Sequence, residues 1–392
     1  MPRIGLALEG GGARGAYHIG VYKAYLENGY KFDGFVGTSI GAINAAVFAS
    51  GDFDIALRLW ENISLDQLFD EEIAEILQFA PSKIDKNFPG NIKIALSKIF
   101  TDKGVDTTKI RKFITAYIDE EKIRHSGVDL GLVTYSRSDR EAHEVFIEDI
   151  AKGKLIDYIM ASASLPGFTA QMIGDKKFID GGVYNNCPIN MLIDKGYDEI
   201  IAVRTNSFGR FRKYDKNANV TLIKTNGDLA GTLAFSSENS ASDIRQGYFD
   251  GLRAIDDLLG RNYYLKKTNL KGRVQKLMLL DPVKLPYLET FANRKISSNR
   301  LLLEQVIPEL AKYLKLGKTF TYDEFLIAIF EFIAEKAKID RYCVYKFDEF
   351  LKLIKDTKIP ATEKSPLNKL ITSHSEEKEE LIEQLVDTLL RT

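Results

Sequence analysis

The chain has 392 residues, of which 45% are hydrophobic and 28% are charged, and its formal net charge is −1. This balance is typical of a globular protein with a buried core, and it excludes a chain that is disordered by its composition. A net charge near zero gives no electrostatic attraction to nucleic acid or to an anionic membrane, so we expect no nucleic-acid partner. The length fits one large domain with a smaller one, or two ordinary domains, and the oligomeric state stays open.

Two cysteines, Cys187 and Cys343, exclude a disulfide framework and a zinc site built from several thiolates. We expect both to be ordinary buried side chains of a reducing compartment. The N-terminal residues lack the apolar run of a signal peptide. The uncharged stretch 34–51 contains four glycines and four polar residues, which does not suit a spanning helix. We therefore predict a soluble cytoplasmic protein, and leave open a peripheral contact with a membrane.

The first part of the chain alternates strands and helices. The apolar run RIGLALEG predicts a buried strand, and FDGFVGTS predicts a second one. Each is followed by a helical pattern, GAYHIGVYKAYLENG and IGAINAAVFASG, with Gly29 and Gly51 as the C-terminal caps. Two strand–helix units in succession predict an α/β fold with a parallel sheet.

Residues 52–128 predict mainly helices, one of which begins near Asp106 or Thr107. The segment KLIDYIMASASLPGFT predicts a helix that breaks at Pro166, and the polar stretch 206–245 predicts long loops. Further strands are expected at VDLGLVTYS, EAHEVFI, KKFIDGGVYNNCP, DEIIAVRTN and VQKLMLLDP.

After about residue 290 the sequence predicts helices alone. Residues 301–392 contain 14 Lys and Arg against 17 Asp and Glu, a net charge of −3. Such helices are typical of a region that packs on a core, whereas a membrane-surface helix usually carries Lys and Arg on its polar face. We therefore divide the chain into one domain over residues 1–290 and a helical region of unknown role over residues 291–392.

Ser39 lies where the second strand is expected to meet its helix. The peptide GTSIG around it matches the nucleophile elbow, in which a serine is exposed at a sharp strand-to-helix turn. Gly37 and Gly41 flank the serine, and side chains there would collide with neighbouring elements. The helix N-terminus also offers backbone N–H groups and a favourable dipole for an oxyanion. We predict a nucleophilic Ser39, with a purely structural turn as the alternative.

A glycine loop, EGGGARG, follows the first strand. Gly10, Gly12 and Gly15 fit the dinucleotide pattern G-x-G-x-x-G, and Asp33 lies near the expected position of a ribose-binding carboxylate. The alternative is an oxyanion hole, in which consecutive glycines let backbone N–H groups converge on a developing negative charge. Arg14 could hold this loop or bind an anionic substrate. The two loops follow successive strands, so we expect them side by side at one end of the sheet.

A serine nucleophile needs a base, and the chain has four histidines. The order Ser39, Asp180, His374 fits an α/β-hydrolase, but His374 lies in the charged segment TSHSEEKEE. The remaining histidines fit surface or packing positions better: His18, His125 and His143. Asp180, at the strand end FIDGG, can bring its carboxylate close to another turn, and a serine–aspartate dyad is chemically feasible. A plain turn residue is the alternative for Asp180.

The motifs GGGARG, GTSIG and DGG, in this order, closely resemble those of the patatin-like phospholipase family. The segment ASASLPGFTAQMIGDKKFIDGGVYNNCPI also resembles the part of that family that leads into its aspartate turn. The resemblance implies a three-layer α/β/α fold with a mostly parallel central sheet, followed here by the C-terminal all-helical region. It implies Ser39 as the nucleophile and Asp180 as the general base.

The same resemblance assigns the two glycine-rich regions. The oxyanion hole is expected at Gly10, Gly11, Gly12, Arg14 and Gly15. Supporting turns are expected at Gly37, Gly41, Gly181 and Gly182. No metal and no organic cofactor is expected.

From the resemblance we expect a lipid acyl hydrolase that cleaves carboxylic esters of phospholipids or other acyl lipids through an acyl-enzyme. Three alternatives remain: an acyltransferase with the same dyad, a nucleotide-binding protein that uses GGGARG, and a lipid-binding module without catalysis. We expect the lipid-facing surface in residues 52–100 or in the C-terminal helices.

Overall fold

The computed structural model describes residues 2–78, 104–280, 298–357 and 374–391. The chain divides into two compact units, Met1–Ile255 and Asp256–Thr392. The domain boundary that we predicted at residue 290 lies outside the described residues and stays a prediction.

In the described part of the chain, the first unit contains an eight-stranded sheet of order β5-β6-β3-β2-β1-β7-β8, with β4 also paired to β3. The strands are β1 (Ile4–Leu8), β2 (Gly34–Thr38), β3 (Asp129–Ser136), β4 (Glu141–Phe146), β5 (Gln171–Ile173), β6 (Lys176–Asp180), β7 (Glu199–Arg204) and β8 (Val220–Lys224). Strands β1, β2, β3, β7 and β8 run parallel, and β4 and β6 run antiparallel to β3. The sheet is therefore mixed and mostly parallel.

Helices cover this sheet. They are α1 (Ala16–Glu27), α2 (Ile40–Ala49), α3 (Phe53–Glu61), α4 (Leu65–Leu68), α5 (Glu71–Gln78), α6 (Thr108–Tyr117), α7 (Glu120–His125), α8 (Leu155–Ser162), α9 (Ile189–Asp194) and α10 (Ser237–Asp256). Helix α6 begins near the residues that the sequence indicated, because Asp106 Oδ1 accepts a hydrogen bond from the N–H of Thr108 (2.8 Å).

Both faces of the parallel strands are buried, and this is why β1 is a continuous apolar run. Leu6 and Leu8 belong to the larger hydrophobic cluster, which includes residues of α1 and α2. Ala7, between them, belongs to a second cluster that includes Leu192 of α9. Helices therefore lie on both faces of the sheet, which is the three-layer α/β/α arrangement that the resemblance implied.

Strand β3 brings two distant segments together. Strand β4 pairs with one edge of β3 over residues 131–136. On the other edge of β3, the pairing with β2 ends where Thr38 lies opposite Val133. The pairing with β6 begins at the next residue, where Asp180 lies opposite Thr134. Since β6 runs antiparallel to β3 and β2 runs parallel to it, the C-terminal ends of β2 and β6 meet head-on at adjacent residues of β3.

The loops predicted for residues 206–245 were only partly right, because β8 and the first part of α10 lie in this segment. Helix α10 packs against α1 through glycine. A Cβ at Gly247 would overlap the carbonyl of Tyr17, and a Cβ at Gly20 would overlap that of Ile244. Because glycines make the contact, the apolar periodicity that usually indicates a buried helix face is weak here.

The helix predicted to break at Pro166 ends earlier, at Ser162. After this point the backbone turns so that the carbonyl of Ser164 accepts a hydrogen bond from the N–H of Asp180 (2.9 Å). The end of α8 is therefore tied to the end of β6 before the proline is reached.

The second unit has its own hydrophobic core. Its helical segments are α11 (Lys271–Met278), α12 (Ser298–Leu301), a π-helical turn (Leu302–Val306), α13 (Ile307–Tyr313), α14 (Tyr322–Lys336), α15 (Phe347–Asp356) and α16 (His374–Arg391). Apart from a parallel pair of two-residue strands, β9 (Tyr264–Leu265) and β10 (Val344–Tyr345), the described part of this unit has the helical character that we expected. The strand predicted for residues 274–282 was wrong, because residues up to Met278 are helical and place Leu277 in the core.

Within the second unit, a buried carboxylate fixes a loop to α14. Glu331 Oε1 accepts hydrogen bonds from the N–H groups of Arg261 (2.8 Å), Asn262 (3.0 Å) and Tyr263 (2.9 Å). These bonds satisfy a buried charge and three backbone donors together. They hold the segment that enters β9.

Cys187 is buried, as expected, but Cys343 is exposed, so the expectation of a buried thiol was wrong for that residue. None of the described helices combines the length and the apolar character that a membrane crossing requires. In the same residues, no cluster of three or more His, Cys, Asp or Glu side chains is arranged to hold a metal ion.

Candidate active site

Ser39 lies at a sharp turn between β2 and α2. Its φ of 56° and ψ of −126° fall in a region that non-glycine residues rarely adopt. The turn is held by hydrogen bonds from the N–H of Ser39 to Ser162 Oγ (3.0 Å) and from the N–H of Ala42 to Ser39 O (2.9 Å). This is the strained strand-to-helix turn of a nucleophile elbow, although only 5% of Ser39 is exposed.

The two glycines beside Ser39 allow α2 to approach the sheet at backbone distance. A Cβ at Gly37 would overlap the backbone of Gly41 and Ala42, and a Cβ at Gly41 would overlap the carbonyl of Leu8. Side chains at these positions would therefore displace the helix that begins at the serine.

Asp180 ends β6 beside Ser39. Its Oδ1 accepts a hydrogen bond from the N–H of Gly182 (2.8 Å). Burial raises the pKa of Asp180 to about 6, while hydrogen bonding from Ser39 and from Gly182 acts in the opposite direction. The other oxygen, Oδ2, is buried and has no hydrogen-bond partner of ordinary geometry among the described residues. The contact with Ser39 is thus close and polar rather than a fully formed hydrogen bond, and one carboxylate oxygen is left to receive a proton.

The glycines after Asp180 make this approach feasible. A Cβ at Gly181 would overlap the carbonyl of Val133 on β3. A Cβ at Gly182 would lie 2.8 Å from Asn186 Oδ1 and 3.1 Å from Asp180 Oδ1. The turn can therefore lie directly over β3 only without side chains at these two positions.

The glycine loop lies beside the serine, since a Cβ at Gly10 would be 3.1 Å from the Cβ of Ser39. The N–H groups of Gly10 and Ala13 donate to backbone carbonyls (3.0 and 2.9 Å). Between them, the N–H groups of Gly11 and Gly12 donate to none of the described residues. Gly11 and Gly12 each line a cavity that contains Ser39, so these two donors are the ones available to an oxyanion.

Gly12 and Gly15 hold the loop in close contact with its surroundings. Gly12 has a φ of 59°, and a Cβ there would overlap the carbonyl of Thr232. A Cβ at Gly15 would collide with the side chains of Ile40 and Trp60.

Arg14 holds the glycine loop rather than facing a ligand. Its guanidinium donates hydrogen bonds to the carbonyls of Ala230 (2.9 Å), Asn206 (3.0 Å) and Thr205 (3.3 Å). Burial lowers the pKa of Arg14, and nearby carboxylates, Asp243 first among them, oppose this shift. Of the two roles considered from the sequence, the contacts favour the structural one.

Sequence reasoning missed Glu9, a fully buried carboxylate at the start of the glycine loop. Its Oε2 accepts from Arg204 Nε and from the N–H of Thr205, both at 2.7 Å. Its Oε1 accepts from Ser207 Oγ (3.2 Å) and from Asn186 Nδ2 (3.5 Å). Glu9 therefore joins the glycine loop, the end of β7 and the turn after Asp180. A charged residue at the end of an apolar strand was the signal that could have indicated it.

Ser39 lies where two cavities meet. The first has a volume of about 100 Å³, and Ser39 and Asn44 are its only polar side chains among the described residues. Its remaining side chains are aliphatic and aromatic and include Trp60, Phe69 and Phe168. This cavity is suited to an apolar chain.

The second cavity is a cleft of about 1260 Å³ that contains both Ser39 and Asp180. Its lining includes the charged residues Arg140, Glu141 and Arg210. A ligand can therefore reach the serine from a polar side and an apolar side.

No described histidine lines either cavity. His18 is fully buried, contacts the Asn44 side chain (3.2 Å), and has its pKa lowered to about 3 by burial, so its ring is neutral. His125 is exposed, and His143 packs edge-on against an aromatic ring of β6. The side chain of His374 lies outside the described residues.

The dinucleotide alternative required Asp33 near the glycine loop. Asp33 precedes β2, and its Oδ2 accepts a hydrogen bond from the N–H of Ile4, the first residue of β1. The glycine loop follows the other end of β1, about 13–16 Å away for a strand of this length. Asp33 therefore lies at the opposite end of the sheet from the loop.

The fold and the site define an α/β protein with a serine elbow, a glycine loop and an aspartate turn at one end of a mostly parallel sheet. Residues 6–193 match the model of a family described as Patatin-like phospholipase. The matched residues are just under half of the chain, and over them the resemblance inferred from the three motifs is confirmed.

Curated relatives agree with this family. An uncharacterized NTE family protein of Mycobacterium bovis is 28% identical over 202 residues, which are 51% of this chain and 30% of that protein. Neuropathy target esterase sws of Drosophila melanogaster is 24% identical over 323 residues, or 72% of this chain and 21% of that protein. The chain therefore spans a third or less of the length of these relatives. Among solved structures, VipD from Legionella pneumophila is similar at a TM-score of 0.42, with 15% identity over 99% of this chain and 84% of that chain.

Proposed function

We propose that this protein is a lipid acyl hydrolase, a serine esterase that cleaves carboxylic esters of phospholipids or related acyl lipids. One observation carries the proposal: the buried carboxylate of Asp180 lies against the hydroxyl of Ser39 where an apolar cavity meets an open cleft. The apolar cavity suits the acyl chain, and the cleft suits the more polar alcohol part of the ester. The patatin-like phospholipase match and the esterase named among the relatives support the same class.

In the first half of the reaction, Ser39 Oγ attacks the ester carbonyl carbon while its proton passes to Asp180 Oδ2. The negative charge on the carbonyl oxygen is stabilised by the N–H groups of Gly11 and Gly12. When the tetrahedral intermediate collapses, the ester C–O bond breaks and Asp180 returns the proton to the leaving alcohol. The product is an acyl group bound to Ser39.

In the second half, a water molecule takes the place of the alcohol in the cleft. Asp180 accepts its proton as the water oxygen attacks the acyl carbon, and then gives the proton to Ser39 Oγ as the fatty acid leaves. The raised pKa of Asp180 makes it a stronger base than an ordinary aspartate, which suits a site without a histidine in the described cavity lining.

The proposal is tested by covalent labelling with a fluorophosphonate. Because such a probe reacts with activated serines, we expect a single adduct at Ser39, located by mass spectrometry, and none in the Ser39→Ala variant. The surface variant Ser242→Ala, on an exposed position of α10, is the matched control and should be labelled like the wild type. Absence of labelling, together with thermal stabilisation by a dinucleotide, would favour the nucleotide-binding alternative instead.

Replacing Glu9 by glutamine is expected to lower both stability and turnover. The neutral amide leaves Arg204 without its buried carboxylate, which we expect to cost about 3 kcal/mol of unfolding free energy. Glu9 also joins the glycine loop to the turn after Asp180, so its replacement should displace both loops. We therefore expect kcat on a short-chain ester to fall at least about tenfold. Urea unfolding and steady-state kinetics measure these effects.

The exposed Glu238→Gln change on α10 serves as the control for Glu9. Equal unfolding midpoints and equal kcat for the two variants would show that the Glu9 contacts do not hold the site.

A further inference from the structure

A short aromatic and basic segment lies at the cleft that contains Ser39. We call residues 207–216, SFGRFRKYDK, the lip. Its Phe208 side chain lines the cleft and is 79% exposed, more than any other aromatic side chain in the described part of the chain. Phe211 follows three residues later, is 40% exposed, and its ring packs over the Arg204 guanidinium (3.8 Å). A single exposed apolar side chain is ordinary, but two on one short segment beside a binding cleft are typical of an interaction surface.

The lip is also basic in a protein whose net charge is −1. Arg210, Lys213 and Lys216 are exposed, and none of them forms an ion pair with a described acidic residue. Arg212, by contrast, is paired with Glu144. These unpaired cations beside the aromatic side chains complement an anionic surface with an apolar layer beneath it.

A further cation faces the cleft from another element. Arg140, in the turn between β3 and β4, is exposed and makes no ion pair with any described residue. Glu141 beside it is the only exposed acidic residue in the cleft lining among the described residues. Cations on two elements therefore flank the cleft.

The lip is fastened to the turn that carries Asp180. The N–H of Arg210 donates to Gly182 O (2.9 Å), and the N–H of Asn186 donates to Arg210 O (2.6 Å). The side-chain amide of Asn186 also donates to Ser207 Oγ (3.1 Å), and Gly209 packs against that side chain so closely that a Cβ would overlap it. The aromatic and basic side chains are thus held in a fixed position relative to the candidate site.

We propose that the lip is the surface by which this protein docks on an anionic phospholipid bilayer. Phe208 enters the interfacial layer, while Arg210, Lys213 and Lys216 bind lipid phosphates and other anionic headgroups. In this orientation the cleft opens onto the lipid layer, and an ester can enter it without crossing water. The inference rests on the proposed function for what enters the cleft, but docking itself can be measured without turnover.

Docking is tested first with a fluorescent reporter in the catalytically inactive Ser39→Ala background. The chain has one tryptophan, Trp60, which is buried, so a Phe208→Trp change adds a single exposed indole. On vesicles of phosphatidylcholine with about one-third phosphatidylglycerol, we expect a blue shift of the added emission and quenching by brominated lipid. An unshifted, unquenched emission at full vesicle loading would overturn the proposal.

Sedimentation with the same vesicles separates the apolar and the charged contributions. We expect Phe208→Ala to weaken partitioning about tenfold, because most of an aromatic side chain is then missing from the interface. Arg210→Gln should weaken it about fivefold on anionic vesicles and leave binding to pure phosphatidylcholine unchanged. Leu279→Ala, a change at an 81% exposed side chain of the second unit, is the matched control and should partition like the parent protein.

The proposal would be overturned if Phe208→Ala and Arg210→Gln partitioned like the Leu279→Ala control. It would also be overturned if the parent protein bound no vesicles, which is the result expected if the lip recognises a protein. Vesicle binding that depends on the lip, in a wild type without esterase activity, would leave the docking surface standing and refute the proposed function. Esterase activity on a soluble ester, together with vesicle binding that does not depend on the lip, would support the proposed function and refute the docking surface.

Discussion

Fatty acid release from mixed phospholipid vesicles is expected to be lost in both the Ser39→Ala and the Asp180→Asn variants. Removing the serine hydroxyl removes the attacking atom, and rates should fall at least about 10⁴-fold. Removing the carboxylate leaves no base in the described lining of the cleft, and rates should fall about 10³-fold or more. Fatty acid release is measured by titration or mass spectrometry at the same protein concentration for each variant.

The chain offers matched controls for both changes. Ser242→Ala removes an exposed hydroxyl of α10, and Asp175→Asn neutralises an exposed carboxylate in the turn between β5 and β6. Both should retain the wild-type rate. The double variant Ser39→Ala with Asp180→Asn should be no slower than the slower single variant, because two groups that act as a unit are not additive.

Two results would contradict the dyad in different ways. An Asp180→Asn variant with more than about a tenth of the wild-type rate would show that another group takes the serine proton. A Ser39→Ala variant that still releases fatty acid would show that the reaction takes place elsewhere in the protein.

The pH dependence of turnover is the second large expected effect. Burial raises the pKa of Asp180 to about 6, and only the ionised carboxylate can accept the proton of Ser39. We expect kcat/KM on a soluble short-chain ester to be constant above about pH 7 and to fall about tenfold per pH unit below about pH 6. A soluble ester is used so that lipid packing does not change with pH.

The same burial gives an independent readout on stability. The folded-state pKa of Asp180 lies above the value of about 3.9 in an unfolded chain, so its stabilising contribution is complete below that value and is lost as the pH rises through about 6. The ionised carboxylate therefore costs up to about 3 kcal/mol at neutral pH. The Asp180→Asn protein should accordingly be at least as stable as the wild type near pH 7.5, although we expect it to be inactive.

A kcat/KM profile that stays flat down to about pH 4.5 would contradict an aspartate base with this pKa. An Asp180→Asn protein that unfolds well below the wild-type temperature would show that the carboxylate is held for stability rather than for chemistry. The Asp175→Asn control shows whether neutralising an exposed carboxylate changes the unfolding temperature by itself.

The most predictable parts of the site were those encoded in consecutive residues. The GTSIG turn and the glycine loop each follow an apolar strand and precede a helix, so the strand ends and the helix starts could be inferred locally. The positions of Ser39 and of the glycine loop follow from this local pattern. The pairing with Asp180 was reached from a resemblance, because 141 residues separate Ser39 from Asp180 and no local pattern joins them.

Elements whose packing departs from the usual apolar periodicity were missed. Helix α10 contacts α1 through glycines, so its sequence looked like a loop. The run at residues 274–282 looked like a strand, because a short apolar run fits either kind of element. The membrane surface that we propose also lies in the segment predicted as loops, where the sequence alone did not show which side chains are exposed.

By itself, the sequence determined the strand–turn–helix units, the glycines of both loops and the order of the three motifs. Only the tertiary structure decided how they combine. Strands β2 and β6 share one edge of β3, so their ends meet and bring Asp180 to Ser39. The structure also decided which loop N–H groups stay available, because the neighbouring donors at Gly10 and Ala13 are used by distant carbonyls. Hydrogen bonds between residues far apart in the chain depend on the whole fold, and no local pattern encodes them.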